Sequence, residues 1–411
     1  MRRNISIVGG GAAGVLVAIH LTRTASVPLH LTIVEPRERL AEGVAYSTPD
    51  SEHLLNVPAA GMSAYVEDAL HFVKWAECSP QDFIPRHRYA DYLRSELQRL
   101  THVNPHVALQ HVRDSAHAIS TSPLRVSTVG GPDVLADVVV LALGNAAPFK
   151  PDWYSHLTAP VVLDDPWVPG ALETIPDQSK VLCVGTGLTF VDVALSLTRR
   201  GCRVTGVSRH GFLPHIHAAQ STLPLVPTEF DSPTAVSRWL RSQSDWQAAL
   251  TALRPHTQVI WQSFSAPQQA SFLRHARRYW DVHRHRMSQN VADKLRLAIH
   301  RCLVTVLRGD AQRVAAQSPW DAIILCTGPD DAALINTAPL RSLASQGHVR
   351  IGPHGKGIDT VPDSGCVRNR DGAAPLDIYA IGPLRQGTLW ECTAIPEIRS
   401  EAQRLASRVL A

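Results

Sequence analysis

Three glycines near the start of the chain have a spacing suited to contact with a phosphate chain. Gly9, Gly11 and Gly14 follow directly on the apolar run 5–8, and the small and apolar residues of 12–24 come next. In a strand–turn–helix unit, the first glycine permits a tight turn and the second lets the backbone approach a pyrophosphate. The third lets the helix pack closely on the strand. The helix N-terminus then offers N–H groups and a partial positive charge to the phosphates.

An acidic residue stands where such a unit would place one. The apolar run 31–34 predicts a second strand, and it ends on Glu35, whose carboxylate can accept both hydroxyl hydrogens of a ribose. We therefore predict a dinucleotide site that also includes Ala13 and Pro36. One alternative is a glycine-rich loop that only tightens a βαβ turn. A signal peptide is the other, because basic residues precede the apolar run, but three consecutive glycines and the acid-ended strand argue against it.

The same pattern returns in the middle of the chain. Residues 180–184 predict a strand, Gly185 and Gly187 a glycine turn, and 190–199 a helix. Phe190 occupies the position of the third glycine, so we expect this helix to stand further from its strand. An internal repeat of this kind indicates two dinucleotide-binding units, with Leu188 and Thr189 in the second turn.

The two units differ at the end of their second strand. The strand 203–209 ends in Ser208 and Arg209 instead of an acid. An arginine there can pair with a 2′-phosphate, which favours NADPH over NADH. The alternative is that Arg209 ends a surface strand and binds no ligand.

Composition and further strand-to-glycine turns set the domain organisation. The 411 residues predict an α/β protein with two Rossmann-like domains. We expect residues 1–150 and 326–411 to form one dinucleotide-binding domain around a second one at 160–325, with a helical insertion at about 230–300.

Charge and cysteine content exclude several classes of function. A net charge of +4 is too small and too dispersed to indicate nucleic-acid binding. No apolar run approaches the length of a membrane span. The seven cysteines are scattered without a C-x-x-C pair, as expected of reduced thiols in a cytoplasmic protein without a metal centre.

Several stretches together resemble the bacterial FAD/NAD(P)-binding protein family of the NAD-binding-9 type, which is related to two-dinucleotide-binding flavoproteins and to N-hydroxylating flavin monooxygenases. The stretches that carry the resemblance span nearly the whole chain. They are 43–47 (GVAYS), 53–58 (HLLNVP), 62–63, 83–86, 185–189 (GTGLT), 279–286 (YWDVHRHR), 326–329 (CTGP) and 390–399 (WECTAIPEIR).

The resemblance implies FAD as the resident cofactor, in an FAD-binding domain at 1–150 and 326–411, and NADPH as its reductant, in an NAD(P)H-binding domain at 160–325. It also implies further cofactor contacts at the later turns and at the closing helix, namely Gly144, Gly328, Gly382, Pro383, Ile395 and Pro396. In N-hydroxylating relatives, reduced FAD and O₂ form a C4a-hydroperoxide that delivers one oxygen atom to an amine. This implies that the 54–63 loop, with Leu55, Asn56 and Val57, lies near the flavin, where Asn56 could hydrogen-bond a flavin or hydroperoxide oxygen. The alternative for Asn56 is an ordinary loop residue closing a turn before a proline. The cofactor would activate O₂, so the protein needs no nucleophile of its own. This agrees with the lack of a nucleophile triad or paired carboxylates in the sequence.

An Arg/His-rich segment and a tryptophan are candidates for a small and anionic substrate. Arg278, His283 and Arg284 could bind a carboxylate, and Trp390 could line the same site, since arginine pairs with carboxylates in a fork. Alternatively, this run is a solvated helix face. We thus expect an NADPH-using flavoprotein monooxygenase that N-hydroxylates a small amine. An FAD-dependent dehydrogenase or reductase and a non-catalytic flavin-binding redox sensor are the alternatives.

Overall fold

The computed structural model describes residues 3–219 and 221–411. The chain divides into two compact units, Met1–Ala146 with Asp331–Ala411 and Ala147–Asp330. The sequence predicts a similar division, and its assignment of FAD to the first unit and NAD(P)H to the second stays a prediction.

The first segment of unit 1 alternates strands and helices before a small hairpin sheet. Its elements are β1 (Arg3–Val8), α1 (Ala12–Thr24), β2 (Leu29–Val34), α2 (Gly43–Tyr46), α3 (His71–Ala76), α4 (Arg86–Val103), β3 (Val107–Val112), β4 (Ala116–Thr121), β5 (Leu124–Thr128), β6 (Val134–Leu135) and β7 (Val138–Leu141).

Unit 2 has the same alternation, interrupted by helices. Its elements are β8 (Val161–Leu163), β9 (Lys180–Val184), α5 (Leu188–Thr198), β10 (Arg203–Ser208), α6 (Pro233–Ser242), α7 (Trp246–Leu253), α8 (Thr257–Ser263), α9 (Ala266–His275), α10 (Arg277–Arg284), α11 (Gln289–His300), β11 (Val304–Arg308), α12 (Ala311–Ala316) and β12 (Ala322–Leu325). The chain then returns to unit 1 with α13 (Ala338–Ser345), β13 (Ile378–Ala380) and α14 (Ile395–Leu410).

Each unit is built on a parallel five-stranded sheet. The order is β13-β7-β1-β2-β3 in unit 1 and β11-β10-β9-β12-β8 in unit 2. In both sheets the glycine-turn strand, β1 or β9, lies in the centre. Ligands of such sheets bind at the carboxyl ends of the strands where the strand order reverses. The predicted α/β class with two Rossmann-like units is confirmed.

Apolar runs explain why the central elements are buried. Residues 5–8 of β1 and all of β7 are shielded from solvent, as expected for strands covered on both faces. Helix α1 is buried along most of its length and packs against α4 and α14. This packing fixes the first glycine turn between the sheet and the closing helix.

The helical insertion is confirmed, with six helices in the fully described stretch from α6 to α11. Helix α3 ends at Ala76 because Glu77 adopts a left-handed conformation, with φ of 52°. None of the helices within 3–219 or 221–411 is long and apolar enough to cross a membrane.

Candidate cofactor-binding sites

Two glycines of the first turn occupy positions where a side chain would not fit. Gly9 has φ of +104°, and a β-carbon there would lie 2.4 Å from the carbonyl oxygen of Ala142. At Gly14, a β-carbon would lie 2.1 Å from the carbonyl oxygen of Gly9. The turn and the close contact of α1 with β1 therefore both require glycine.

The start of α1 leaves room for a ligand. A β-carbon on Gly11 would meet only the Cα atom of Gly43, at 3.5 Å, and no side chain caps the helix. The first N–H groups of a helix lack intrahelical partners. Ala13 lies in this first turn, beneath Gly382, whose added β-carbon would be 3.7 Å from Cβ of Ala13. The turn thus has room for a pyrophosphate, and the cofactor contacts of Gly9, Gly11, Ala13 and Gly14 stay predictions.

Glu35 is buried at the end of β2 and tied to the glycine turn. Its Oε2 atom accepts a hydrogen bond of 2.8 Å from the Gly10 N–H group. Its Oε1 atom accepts from the backbone and the guanidinium of Arg37, at 3.1 and 3.2 Å. A carboxylate has about four acceptor sites, so capacity remains for ribose hydroxyls. Pro36 beside it is exposed.

The 54–63 loop meets the beginning of α14 within unit 1. Leu55 is buried and its N–H group donates to the carbonyl of Ile84 at 2.9 Å, which anchors the loop. A β-carbon on Gly61 would lie 3.9 Å from Cγ of Pro396, and Arg399 donates to the Ser63 carbonyl at 3.2 Å. The neighbouring side chains Asn56 and Val57 are half-buried, and α14 begins at Ile395 without a side-chain cap.

The turn at Gly382 and Pro383 has fewer free donors than the sequence suggests. Since Pro383 has no N–H group, backbone contact to a cofactor would fall to its neighbours, but the Gly382 N–H group donates to Oε2 of Glu401 at 3.3 Å. Glu401 also pairs with Arg385, and both side chains are buried. A buried carboxylate thus already accepts the Gly382 N–H group, and the cofactor contacts expected at Gly382 and Pro383 stay predictions. Trp390, further along, is only 6% exposed.

The second glycine turn repeats the geometry of the first at one position and leaves another open. Gly185 has φ of +116°, and a β-carbon would lie 2.2 Å from the carbonyl oxygen of Cys326. An added β-carbon on Gly187 meets nothing within 4 Å, and no side chain caps α5, which begins at Leu188 and Thr189. Gly144 and Gly328 end the corresponding strand-to-glycine turns of the two units, with φ of +73° and +78°.

Phe190 is accommodated by a second glycine. Its fully buried ring lies over Gly206 of β10, where an added β-carbon would be 2.5 Å from the ring. Phe190, which replaces the third glycine of the motif, therefore fits only because residue 206 on the neighbouring strand is a glycine.

The end of β10 carries an arginine-rich surface. The Ser208 hydroxyl lies 2.8 Å from Oγ1 of Thr186 and accepts from the Gly211 N–H group at 3.0 Å. Arg209 is exposed and forms no hydrogen bond or ion pair with any other described residue. Burial, followed by the charges of Arg278, Arg209 and Arg308, lowers the pKa of the adjoining His210.

The predicted substrate residues of α10 lie in different surroundings. Arg278 contacts His210 and donates to the Arg274 carbonyl at 2.9 Å. The His283 ring packs against His215 and Trp246, with centroid distances of 4.3 and 4.8 Å. Arg284 is only 7% exposed. The three side chains thus have different described neighbours, and their role in substrate binding stays a prediction.

A further basic and aromatic cluster surrounds His215. Burial and the charges of His283 and Arg286 lower the pKa of His215. The guanidinium of Arg286 lies 5.9 Å from the Trp246 ring centroid, and burial together with the charges of Arg284 and Arg254 lowers the pKa of Arg286 to about 10. No group of three or more possible metal ligands comes together in 3–219 or 221–411.

Four residues beside the two turns are not predicted from the sequence. Arg37 and His111 contact Glu35, the latter through a ring nitrogen 2.9 Å from its carbonyl oxygen. His210 and Arg308 adjoin Arg209. Only Arg37 and His210 carried a signal in the sequence, because each lies within two residues of a predicted strand end.

Comparison with known proteins relates part of the chain to one family. Residues 6–146 match the model of the FAD-NAD(P)-binding family of the NAD-binding-9 type. A comparison with curated protein sequences gives no significant match.

Solved structures with a similar fold cover the whole chain. An ornithine hydroxylase from Pseudomonas aeruginosa has 15% identity and a TM-score of 0.62, covering 100% of this chain and 99% of that one. L-lysine 6-monooxygenase from Pseudomonas syringae has 16% identity and a TM-score of 0.61, with 100% and 99% covered. Thioredoxin reductase from Lactococcus lactis has 12% identity and a TM-score of 0.52, with 99% and 97% covered. Residues 6–146 are thus similar to the FAD-NAD(P)-binding family, and the whole chain shares its fold with these solved structures.

Proposed function

We propose that the protein is an FAD-dependent, NADPH-using monooxygenase that N-hydroxylates a small amine or an amino-acid-like substrate. The overall reaction converts an amine R–NH₂, O₂, NADPH and a proton into R–NHOH, NADP⁺ and water. One oxygen atom enters the new N–O bond, and the other leaves as water with the two electrons of NADPH.

The observation that carries the proposal is the difference between two open glycine turns. Both helices begin at an uncapped glycine with room for a pyrophosphate, at Gly11 and at Gly187. The first turn is tied to the acid Glu35, which suits the free ribose hydroxyls of FAD. The second is flanked by Arg209, which suits the 2′-phosphate of NADPH.

Each part of the chain has a defined task in this proposal. Bound FAD, when reduced by NADPH, supplies the activation of O₂. Gly9, Gly14 and Glu35 hold and orient it. The 54–63 loop and the start of α14 enclose the reacting end and keep water away. Asn56 of this loop is proposed to hydrogen-bond the cofactor or the reacting oxygen.

The cysteines argue against a disulfide reductase, although thioredoxin and bacillithiol disulfide reductases share the fold. All seven cysteines lie in the described ranges, and five of them are buried. A contact with Cys183 and burial raise the pKa of Cys326, which keeps it a thiol and therefore a poor nucleophile. Cys302 is exposed and Cys78 is half-buried, and the two belong to different units.

The substrate class is suggested by two of the similar structures, which are an ornithine hydroxylase and an L-lysine 6-monooxygenase. Both names denote oxygenation of a diamino acid. We therefore propose amines with a carboxylate as the first substrates to examine.

The proposal is tested by anaerobic reduction of the FAD-loaded protein with NADPH, followed by an O₂ pulse observed spectrally. We expect rapid bleaching by NADPH and then a short-lived absorbing species that is neither reduced nor oxidised cofactor. Direct return to the oxidised spectrum, with no oxygenated amine from a panel, would indicate a dehydrogenase or reductase. A cofactor that NADPH does not reduce would indicate a flavin-binding sensor.

A further inference from the structure

We infer that Arg278 of the helical insertion, together with Arg209 and Arg308, forms a clamp for a phosphate monoester, and that His210 positions Arg278 for it. The inference rests on the proposed use of NADPH, whose 2′-phosphate is the group the clamp would bind. It assigns Arg278 to coenzyme selectivity instead of the substrate.

Three separate elements of unit 2 bring these arginines together. Arg209 directly follows β10, Arg308 ends the adjacent strand β11, and Arg278 belongs to α10. Ser208 pairs with Arg308 in the parallel register, and the Gly309 N–H group donates to the Ser208 carbonyl at 3.0 Å. The backbone of Gly211 packs on Arg308, where an added β-carbon would be 3.2 Å from Cβ.

The cluster lacks a compensating acid among the residues that the structure describes. Arg209 and Arg308 form no hydrogen bond or ion pair with any described residue. The hydrogen-bond partners of Arg278 are the His210 ring and the Arg274 carbonyl. Grouping like charges without a carboxylate is unfavourable, and a bound anion would relieve the repulsion.

The contact between Arg278 and His210 defines the state of the imidazole. A guanidinium has donors but no acceptor, so Nε2 of His210 must accept and the ring is neutral, with its proton on Nδ1. The ring stacks on Phe212 with a centroid distance of 5.2 Å and an interplanar angle of 21°, which fixes its orientation. His210 is therefore a positioning residue that holds Arg278 beside the end of β10.

A phosphate monoester matches this arrangement better than a carboxylate. It carries about −1.5 to −2 charges at neutral pH and three acceptor oxygens, so several arginines can bind it at once. Arginine binds phosphate in a bidentate fork. NADP⁺ and NAD⁺ differ only in this group, so the clamp would determine selectivity between them.

The experiment is calorimetric titration of the FAD-loaded protein with NADP⁺, NAD⁺, 2′,5′-ADP and 5′-ADP. For Arg278→Ala, we expect the Kd of both 2′-phosphorylated ligands to rise about 10- to 150-fold, the equivalent of one charge-assisted hydrogen bond. The Kd of NAD⁺ and 5′-ADP should stay unchanged. Arg277→Ala is the matched control, because it removes the adjacent charge of α10, which pairs with Asp281.

The positioning role of His210 has its own pair of variants. His210→Gln keeps an acceptor for Arg278 and should retain most of the preference for NADP⁺, whereas His210→Phe removes the acceptor and should reduce it. A merely structural role would change the NADP⁺ and NAD⁺ affinities together.

The outcomes separate this inference from the proposed function. If the wild type prefers NADP⁺ and Arg278→Ala keeps that preference, the clamp is overturned while NADPH use stands. Equal weakening of all four ligands by Arg278→Ala also overturns it. A wild-type protein that binds NADP⁺ and NAD⁺ equally well would contradict NADPH use itself.

Discussion

The N–H group of Gly10 donates a 2.8 Å hydrogen bond to Oε2 of Glu35 and so joins the first glycine turn to the acid at the end of β2. The two residues lie 25 positions apart, and Glu35 is only 5% exposed. The same carboxylate thus holds the turn in shape and faces the position proposed for the FAD ribose.

Glu35→Ala should weaken FAD binding by about 10- to 100-fold, because it removes an acceptor for the ribose and leaves the Gly10 N–H group unpaired. The Kd is measured by fluorescence titration of the cofactor-free protein. Glu38→Ala is the control, because that side chain is 77% exposed. Unchanged FAD affinity in Glu35→Ala would contradict the assignment of FAD to this turn.

Gly187→Ala should reduce coenzyme binding without reducing stability. The added methyl group meets no atom within 4 Å and the backbone has an ordinary φ of −80°, but the group would occupy the space proposed for the pyrophosphate. Affinities for NADP⁺ and NAD⁺ should fall together by about tenfold or more, the loss of at least one hydrogen bond. The melting temperature should stay the same, as in the control Gly130→Ala, whose added β-carbon is also uncrowded. Normal coenzyme affinity in Gly187→Ala would place the pyrophosphate elsewhere.

The packing of Phe190 on Gly206 predicts a compensating pair of mutations. Phe190→Ala should cost about 3–5 kcal/mol of unfolding free energy by leaving a cavity. Gly206→Ala should cost about 1–3 kcal/mol by overpacking. Because the two positions are in contact, the double variant should lose less than the sum. Urea unfolding measures the free energy of unfolding of the two single variants and of the double variant. A loss in the double variant equal to the sum of the two single losses would show that the residues are not coupled.

The features of the two glycine turns were predictable because each depends on a few consecutive residues. The motif specifies the tight turn at Gly9 and the close packing at Gly14 through local backbone geometry. By contrast, the match between Phe190 and Gly206 joins two elements, and neither residue alone indicates the other. Arg278 and His210 lie 68 positions apart. Their contact depends on how the helical insertion folds. The sequence of the insertion predicts helices there, but it does not predict where each helix begins and ends.

The buried pair of Arg385 and Glu401 should make a large contribution to the stability of unit 1. Their side chains are 1% and 7% exposed. Removing one partner leaves an uncompensated buried charge, so Glu401→Ala should cost about 3–5 kcal/mol of unfolding free energy.

The double variant Arg385→Met with Glu401→Leu replaces both partners by apolar residues. It should lose less unfolding free energy than Glu401→Ala. The control is the exposed pair of Arg296 and Asp293, where Arg296→Ala should change stability by no more than about 1 kcal/mol. A small effect of Glu401→Ala in urea unfolding would contradict the importance of this pair.

The proposed reaction transfers one oxygen atom from O₂ to an amine. The most direct measurement is mass spectrometry of the products formed from NADPH, ¹⁸O₂ and a panel of carboxylate-bearing amines by the FAD-loaded protein. We expect a hydroxylamine carrying one ¹⁸O atom, formed with consumption of one NADPH for each product. NADPH-dependent reduction of the cofactor without any ¹⁸O-labelled product across the panel would contradict it.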